Sequence, residues 1–259
     1  MMFFPKQQSN FEQYFEQQGL GFIVKESRGV EPGVNDKLTL ETPYKPNLSD
    51  LYRLHRFVIE NKRTTVMEFG VGWSTLVLAH AMSLNKVKYS ENMANLRRNN
   101  PFEVHSVDSE QEFMKVAEKR LPNNLKPFVT FTHSPIKMTT FQGRYATEYH
   151  HLPLVNPDFI YLDGPDQFNL SNDINGFSTA HKDMMPMACD ILKFEHYLTP
   201  GTIIVVDGRA ANTRFLKANM QRNWDYSYAA EVDQHIFLLN EDPLGKYNRQ
   251  QLDFYHEKI

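Results

Sequence analysis

Three features of the sequence predict an α/β fold built on a doubly wound, mostly parallel sheet. From Thr64 onward, short apolar runs alternate with stretches of helical periodicity, as in successive βα units. Most of the predicted strands end in a glycine or an acidic residue followed by a turn. Residues 158–162 and 202–206 are apolar without alternation, the pattern of strands buried on both faces at a sheet centre.

Residues 1–47 read as an N-terminal extension, a cover over one end of the sheet or a substrate lid. Phe11, Tyr14 and Phe15 share one helical face, and the Pro/Gly/Asn-rich piece from Val30 to Asn47 winds as loop. A helix is predicted after Ser49 as N-cap, with Asp50 in its first turn and Leu51, Leu54, Val58 and Ile59 as the buried stripe. The first strand, 65–69, stops at Gly70, and a helix through Leu76, Leu78, Ala79 and Met82 follows. The polar stretch 85–101, with Lys86, Lys88, Arg97 and Arg98, reads as a solvated insertion.

The second strand, 102–107, ends at Asp108, and a helix over 110–121 turns Phe113, Val116 and Leu121 inward. Strands at 127–132 and 158–162 come next, the latter ending in Asp163-Gly164-Pro165. A helix after Pro186 buries Met187, Ile191, Leu192 and Leu198. The strand at 202–206 ends at Asp207-Gly208, and 211–219 is helical. Residues 226–231 and 235–240 form a closing hairpin around Val232, Asp233 and Gln234. Residues 48–241 thus make the main domain. Residues 242–259 make a tail whose Leu252, Phe254 and Tyr255 dock on a partner, giving a homo-oligomer, or on the chain's own sheet.

Composition narrows the function. The 259 residues are 41% hydrophobic and 23% charged, enough apolar material for a sizeable core. Lys and Arg total 28 against 31 Asp and Glu, so no general basic field recruits nucleic acid, which is not the expected partner. The one cysteine, Cys189, excludes an internal disulfide and a multi-cysteine metal site and fits a reducing compartment. The N-terminal residues hold no apolar segment of signal-peptide length, and no run approaches the roughly 18 residues of a membrane span. A soluble, cytoplasmic protein with a small-molecule substrate is expected.

In an open parallel sheet, ligands bind beyond the carboxyl ends of the strands. The turn Glu68-Phe69-Gly70-Val71-Gly72-Trp73-Ser74-Thr75 offers a backbone without side chains and a helix N-terminus. Thr75 stands where a dinucleotide fingerprint has its third glycine, which weakens a nicotinamide reading. Asp108 suits the two hydroxyls of a ribose or, equally, an acid near a helix start. Asp163 and Asp207 end neighbouring strands and present hard oxygen ligands suited to Mg²⁺ or Ca²⁺. Asp207 equally fits a helix-start acid paired to Arg209 or Arg214. His150 and His151 are candidate proton acceptors, with His181 and Asp183 as a second pair. Arg209 and Arg214 suit an anionic substrate group. Asp190 reads as a buried acid paired with an arginine, or as solvated.

The E-x-G-x-G turn, the acid ending the second strand, D-G-P ending the fourth and P-G-T-I-I-V-V-D in the fifth occur in one order over residues 50–240. In this the sequence resembles the class I S-adenosylmethionine-dependent methyltransferases. The resemblance implies a Rossmann-like methyltransferase fold of seven strands with the last reversed. It also implies that Glu68, Gly70 and Gly72 line the methionine part of S-adenosylmethionine, with Trp73, Ser74 and Thr75 following. Asp108 would hold the ribose, the turn 132–135 with Ser134 would lie beside the adenine, and Asp163 would face cofactor and acceptor. The Asp163/Asp207 pair is similar to that of the Mg²⁺-dependent O-methyltransferases, although Gly208 replaces the asparagine of the catechol type.

The expected activity is O-methylation of a small molecule, with Asp163, Asp207, His150, His151 and Arg209 as candidate catalytic residues. Aminopropyl transfer on the same scaffold and a non-catalytic partner-binding module remain alternatives. Base-amino methylation of nucleic acid is disfavoured by Leu162-Asp163-Gly164-Pro165, which lacks the expected N-P-P-Y/F-like tetrad.

Overall fold

The computed structural model describes residues 2–6, 8, 10–33 and 42–256. Two short helices, α1 (Phe11–Gln17) and α2 (Gly21–Ser27), precede α3 (Leu48–Glu60). Then come β1 (Thr65–Phe69), α4 (Trp73–Tyr89), β2 (Glu103–Asp108), α5 (Gln111–Arg120) and β3 (Val129–His133). A hairpin, β4 (Ile136–Phe141) and β5 (Arg144–Tyr149), leads to β6 (Phe159–Leu162) and α6 (Asp190–Phe194). The chain closes with β7 (Ile203–Asp207), α7 (Ala210–Asn219), β8 (Trp224–Ala229), β9 (Gln234–Leu239) and α8 (Gly245–His256).

Seven strands form one sheet in the order β3-β2-β1-β6-β7-β9-β8. All neighbours are parallel except β9, which runs antiparallel to both β7 and β8. This is the expected doubly wound α/β sheet with its last strand reversed. The central strands β6 and β7 have no alternation because both faces are covered. Val66, Phe159, Ile203 and Val205 point into a core shared with α1 to α4 and α8. Met67, Ile160, Leu162, Ile204 and Val206 face the hairpin, α6 and α7.

Several local expectations are corrected. Asn47, not Ser49, caps α3, its side chain accepting the Ser49 N–H at 3.1 Å. Val116 is exposed, and α5 instead buries Met114 and Ala117. The helix after Pro186 is only the short α6 and one 3₁₀ turn. The β4–β5 hairpin lay unseen in the sequence; its two-residue turn, Gln142-Gly143, takes positive φ at both positions, as a tight hairpin requires. The loop expected from Val30 to Asn47 lies partly outside the described residues, at 34–41.

The insertion is not wholly solvated. Arg98 reaches under the sheet, its side chain 5% exposed, to Asp158 at 3.5 Å and the Tyr255 hydroxyl at 3.0 Å. Asp158 is fully buried at the N-terminal end of the sheet and gathers four further donors. The N–H groups of Thr64 and Thr65, the Thr64 hydroxyl and the Tyr255 hydroxyl all donate to it within 2.7–3.0 Å. Arg63 stacks on the Tyr255 ring at 3.7 Å. Through this node α8 docks on the chain's own sheet. Burial alone would raise the Asp158 pKa, but Arg98, Arg63 and the Thr64 and Thr65 donors hold it below the usual carboxylate range.

A depressed folded-state pKa means that this stabilisation is complete at neutral pH and is lost as pH falls below about 4. Asp158→Asn leaves two buried guanidinium groups without their carboxylate, and a loss of about 3–5 kcal/mol is expected in urea unfolding at pH 7. The gap between variant and wild type is expected to close at acid pH; a gap independent of pH would contradict this account.

Candidate functional site

The carboxyl ends of β1, β2, β6 and β7 meet at one edge of the sheet, around a cleft of about 780 Å³. Two backbones pass there with almost no room between them. Gly70 has φ +90°, and a Cβ on it would lie 2.9 Å from the Gly164 nitrogen; one on Gly164 would lie 2.6 Å from the Gly70 nitrogen. Only glycine fits either position, because real Cβ atoms do not approach backbone so closely. The Gly70 N–H donates to Val107 O and the Asp163 N–H to Phe69 O, both at 2.9 Å, so three strand ends are pinned together.

Asp108 completes the bend. Its two carboxylate oxygens each accept a backbone N–H at 2.7 Å, one from Val71 and one from Glu110. It lines the cleft and is 8% exposed. Burial pushes its pKa up to about 6, opposed by the N–H groups of Glu110, Val71 and Ser109. A carboxylate has about four lone-pair sites, so Asp108 can still accept a hydroxyl.

Glu68 does not line the cleft as expected. It is fully buried beneath the bend and accepts the hydroxyls of Thr75 at 2.7 Å and Ser106 at 2.6 Å. Thr75 is buried with it and accepts the Gly72 N–H at 3.2 Å, so this pair supports the turn from below. Gly72, Trp73 and Ser74 do line the cleft, and the Trp73 ring also packs into the core with the Arg120 guanidinium 4.2 Å from its centroid.

Towards β7 the cleft opens into a chamber of about 490 Å³ lined by Asp50, Asp163, Asp207, Glu231 and Asp233, with no basic side chain on its wall. Asp163 is exposed to the cleft, and water there screens it. The protein packed around it and the neighbouring Asp207 push its pKa up, against the pull of Arg209. Asp207 accepts the Tyr161 hydroxyl at 2.7 Å and is likewise raised, mainly by burial. Burial and Asp207 push Asp50 up to about 7, with Arg53 opposing.

Arg209 lines the cleft but does not pair with Asp207. Its terminal nitrogens donate to the backbone oxygens of Asp163 at 3.1 Å and Pro165 at 2.7 Å, bracing the turn after β6. Arg214 is exposed and lies off the cleft wall, and the terminal nitrogens of Arg209 are taken up by backbone.

His150 and His151 lie away from the cleft on the surface. The His150 ring contacts the Ser171 hydroxyl at 3.1 Å, and the His151 N–H donates to Ser134 Oγ at 3.0 Å. Ser134 is fully buried and off the cleft wall. His181 and Asp183 are exposed, 3.7 Å apart. Asp190 is buried without an arginine; one oxygen accepts the Tyr149 N–H at 3.1 Å, and burial pushes its pKa up to about 7.

Asp163 and Asp207, the two carboxylates expected as metal ligands, both line the cleft. Among the described residues, no group of three or more His, Cys, Asp or Glu side chains is gathered to hold an ion, and Asp207 is already engaged by Tyr161. Asp50 and Tyr161 were missed as site residues. Asp50 comes from a helix far from the strand ends in sequence, and Tyr161 sits inside an apolar run that reads only as core.

No known protein family matches the sequence, and no curated protein matches it. Solved structures are similar to it at a distance. The O-methyltransferase TomG of Streptomyces achromogenes, involved in tomaymycin synthesis and solved with S-adenosylmethionine, is 13% identical over 91% of this chain and 92% of its own, with a TM-score of 0.42. An O-methyltransferase from Bacillus cereus, solved with S-adenosylhomocysteine, is 14% identical over 91% and 92%, with a TM-score of 0.42. A methyltransferase from Geobacter sulfurreducens is 12% identical over 90% and 93%, with a TM-score of 0.40. At such identities no activity passes from those proteins to this chain. Its own strand order, with β9 reversed between β7 and β8, is that of the Rossmann-like methyltransferase fold.

Proposed function

We propose that the protein is an S-adenosylmethionine-dependent methyltransferase that methylates a hydroxyl of a small molecule. The observation that carries this reading is the cradle at the strand ends: bare backbone at Gly70 and Gly164 beside a carboxylate, Asp108, that lines the cleft. Such a cradle fits a nucleoside whose ribose hydroxyls meet Asp108 while its amino-acid arm lies along Gly70–Gly72. When bound, the sulfonium supplies a methyl group already activated for in-line displacement.

The chain's own residues then have three tasks. The glycine bend and Asp108 fix the donor's position, and the walls around Tyr161 and Asp207 align the acceptor and exclude water. Asp163, open to the cleft beside the bend, accepts the proton of the attacking hydroxyl. It lines the cleft next to the Gly70–Gly164 contact, where a carboxylate can serve as general base. His150 and His151 have no part in this scheme, and no step uses a metal ion.

The acid-lined chamber favours a second reading, aminopropyl transfer to an amine, because five carboxylates without a cation on the wall suit a positively charged acceptor. A small-molecule acceptor fits the chamber's size under either reading, and a reducing, cytoplasmic setting fits a buried Cys189.

Calorimetry separates these readings. Wild-type protein is expected to bind S-adenosylmethionine and S-adenosylhomocysteine, with decarboxylated S-adenosylmethionine weaker; the reverse order would favour aminopropyl transfer, and no binding of any would sink both. Asp108→Asn is expected to weaken S-adenosylhomocysteine roughly tenfold or more, by the lost charge-assisted bonds. Gly164→Ala, which forces the strand ends apart, should weaken it as well and lower the melting temperature. With an acceptor found by methyl-transfer screening, Asp163→Asn is expected to cut kcat about 10²–10⁴-fold. Wild-type turnover should climb with pH along a limb set by one carboxylate, and that limb is expected to disappear from the residual activity of Asp163→Asn; an unchanged limb would remove Asp163 from the role of base.

A further inference from the structure

Arg53 lies one layer behind the acids of the cleft and is used by no step above. It sits on α3 and is 3% exposed. Its Nε donates to Gln234 Oε1 at 2.8 Å, and its Nη1 donates to the carbonyl of Pro5 at 2.9 Å. Gln234 opens β9, is fully buried, and is the register partner of Asp207 across the sheet. Its amide nitrogen has no close hydrogen bond within the protein and faces the Asp207 carboxylate. A single cation therefore joins the N-terminal segment, α3, β9 and the end of β7.

The charges around this junction are unbalanced in one direction. Asp50, Asp207 and Glu231 face Arg53; Asp207 also has Asp233 and Asp163 as acidic neighbours, and Arg209 answers Asp163 and Asp166. The chamber wall carries no cation, so Arg53 supplies the opposing charge from behind it.

We propose that Arg53 is a positioning residue of the site: it fixes Gln234, the strand neighbour of Asp207, at the end of the cleft, and its charge limits how negative the cleft becomes. The N-terminal segment, held at Pro5, is thereby part of the site's electrostatic balance. The inference rests on the methyltransferase reading, in which a positively charged sulfonium occupies the cleft before transfer and a neutral thioether after it. Arg53 sets how strongly the cleft distinguishes the two.

The test is calorimetry of S-adenosylmethionine and S-adenosylhomocysteine at pH 9 and low salt, on wild type, Arg53→Gln, Arg53→Lys and Arg56→Gln, the last a partly exposed cation on the same helix. In Arg53→Gln the ratio of the two affinities is expected to shift towards the sulfonium by roughly three- to tenfold, the scale of one unit charge acting through protein and water. Arg53→Lys and Arg56→Gln are expected to keep the wild-type ratio. Should Arg53→Gln not fold, Gln234→Glu adds one negative charge at the same junction and is expected to move the ratio the same way. Equal losses of both affinities, with the ratio unmoved, would reduce Arg53 to a structural role and overturn the inference alone. If wild type binds neither compound, the methyltransferase reading falls and takes this inference with it.

Discussion

Everything at the functional edge depends on the contact between Gly70 and Gly164. Strands β1 and β6 are neighbours in the sheet, and the chain must leave both at the same place. With side chains at either position the two exits would have to separate, and the floor of the cleft would fill or tilt. With hydrogen atoms there, the turn after β6 tucks against the bend after β1, and Asp163 emerges beside the bare backbone. Arg209 braces one side of this junction through two carbonyl oxygens, and Asp108 braces the other through two N–H groups. Charged side chains are thus spent on holding main chain, which leaves a cradle rigid enough to orient a ligand.

The strand ends were legible because each apolar run stops abruptly at an acid or a glycine, and four such stops on parallel strands must share an edge. The reversed closing strand was legible for a similar reason, as two short strands flank a compact polar turn. The β4–β5 hairpin was not, since Gln142-Gly143 is a weaker turn signal than Asn-Gly or Asp-Gly and polar residues interrupt its apolar face. Sequence order also misled about direction. Glu68 precedes the glycines by two positions yet points beneath the bend, where Ser106 and Thr75 satisfy it. His150 and His151 follow the hairpin to the outside of the molecule.

Contacts between distant segments were beyond the reach of local pattern. Asp50 looked like an ordinary first-turn acid, Tyr161 like one more core aromatic, and Arg98 like part of a solvated stretch. Each acquires its role from a partner on another element: Asp207 for the first two, Asp158 for the third. A buried polar group shows itself in sequence only when its partner is near in the chain, whereas Arg53 and Gln234 stand 181 residues apart.

The Asp158 node lies at the opposite end of the same strands from the cleft. One carboxylate there ties the start of β1, the start of β6, Arg98 and the final helix α8 into a single knot. Loosening α8 would strip the Tyr255 hydroxyl from that carboxylate and expose the buried guanidinium groups to each other. The last helix therefore cannot fray as an independent flap: its amides should exchange with solvent together with those of the central strands, as one cooperative foldon.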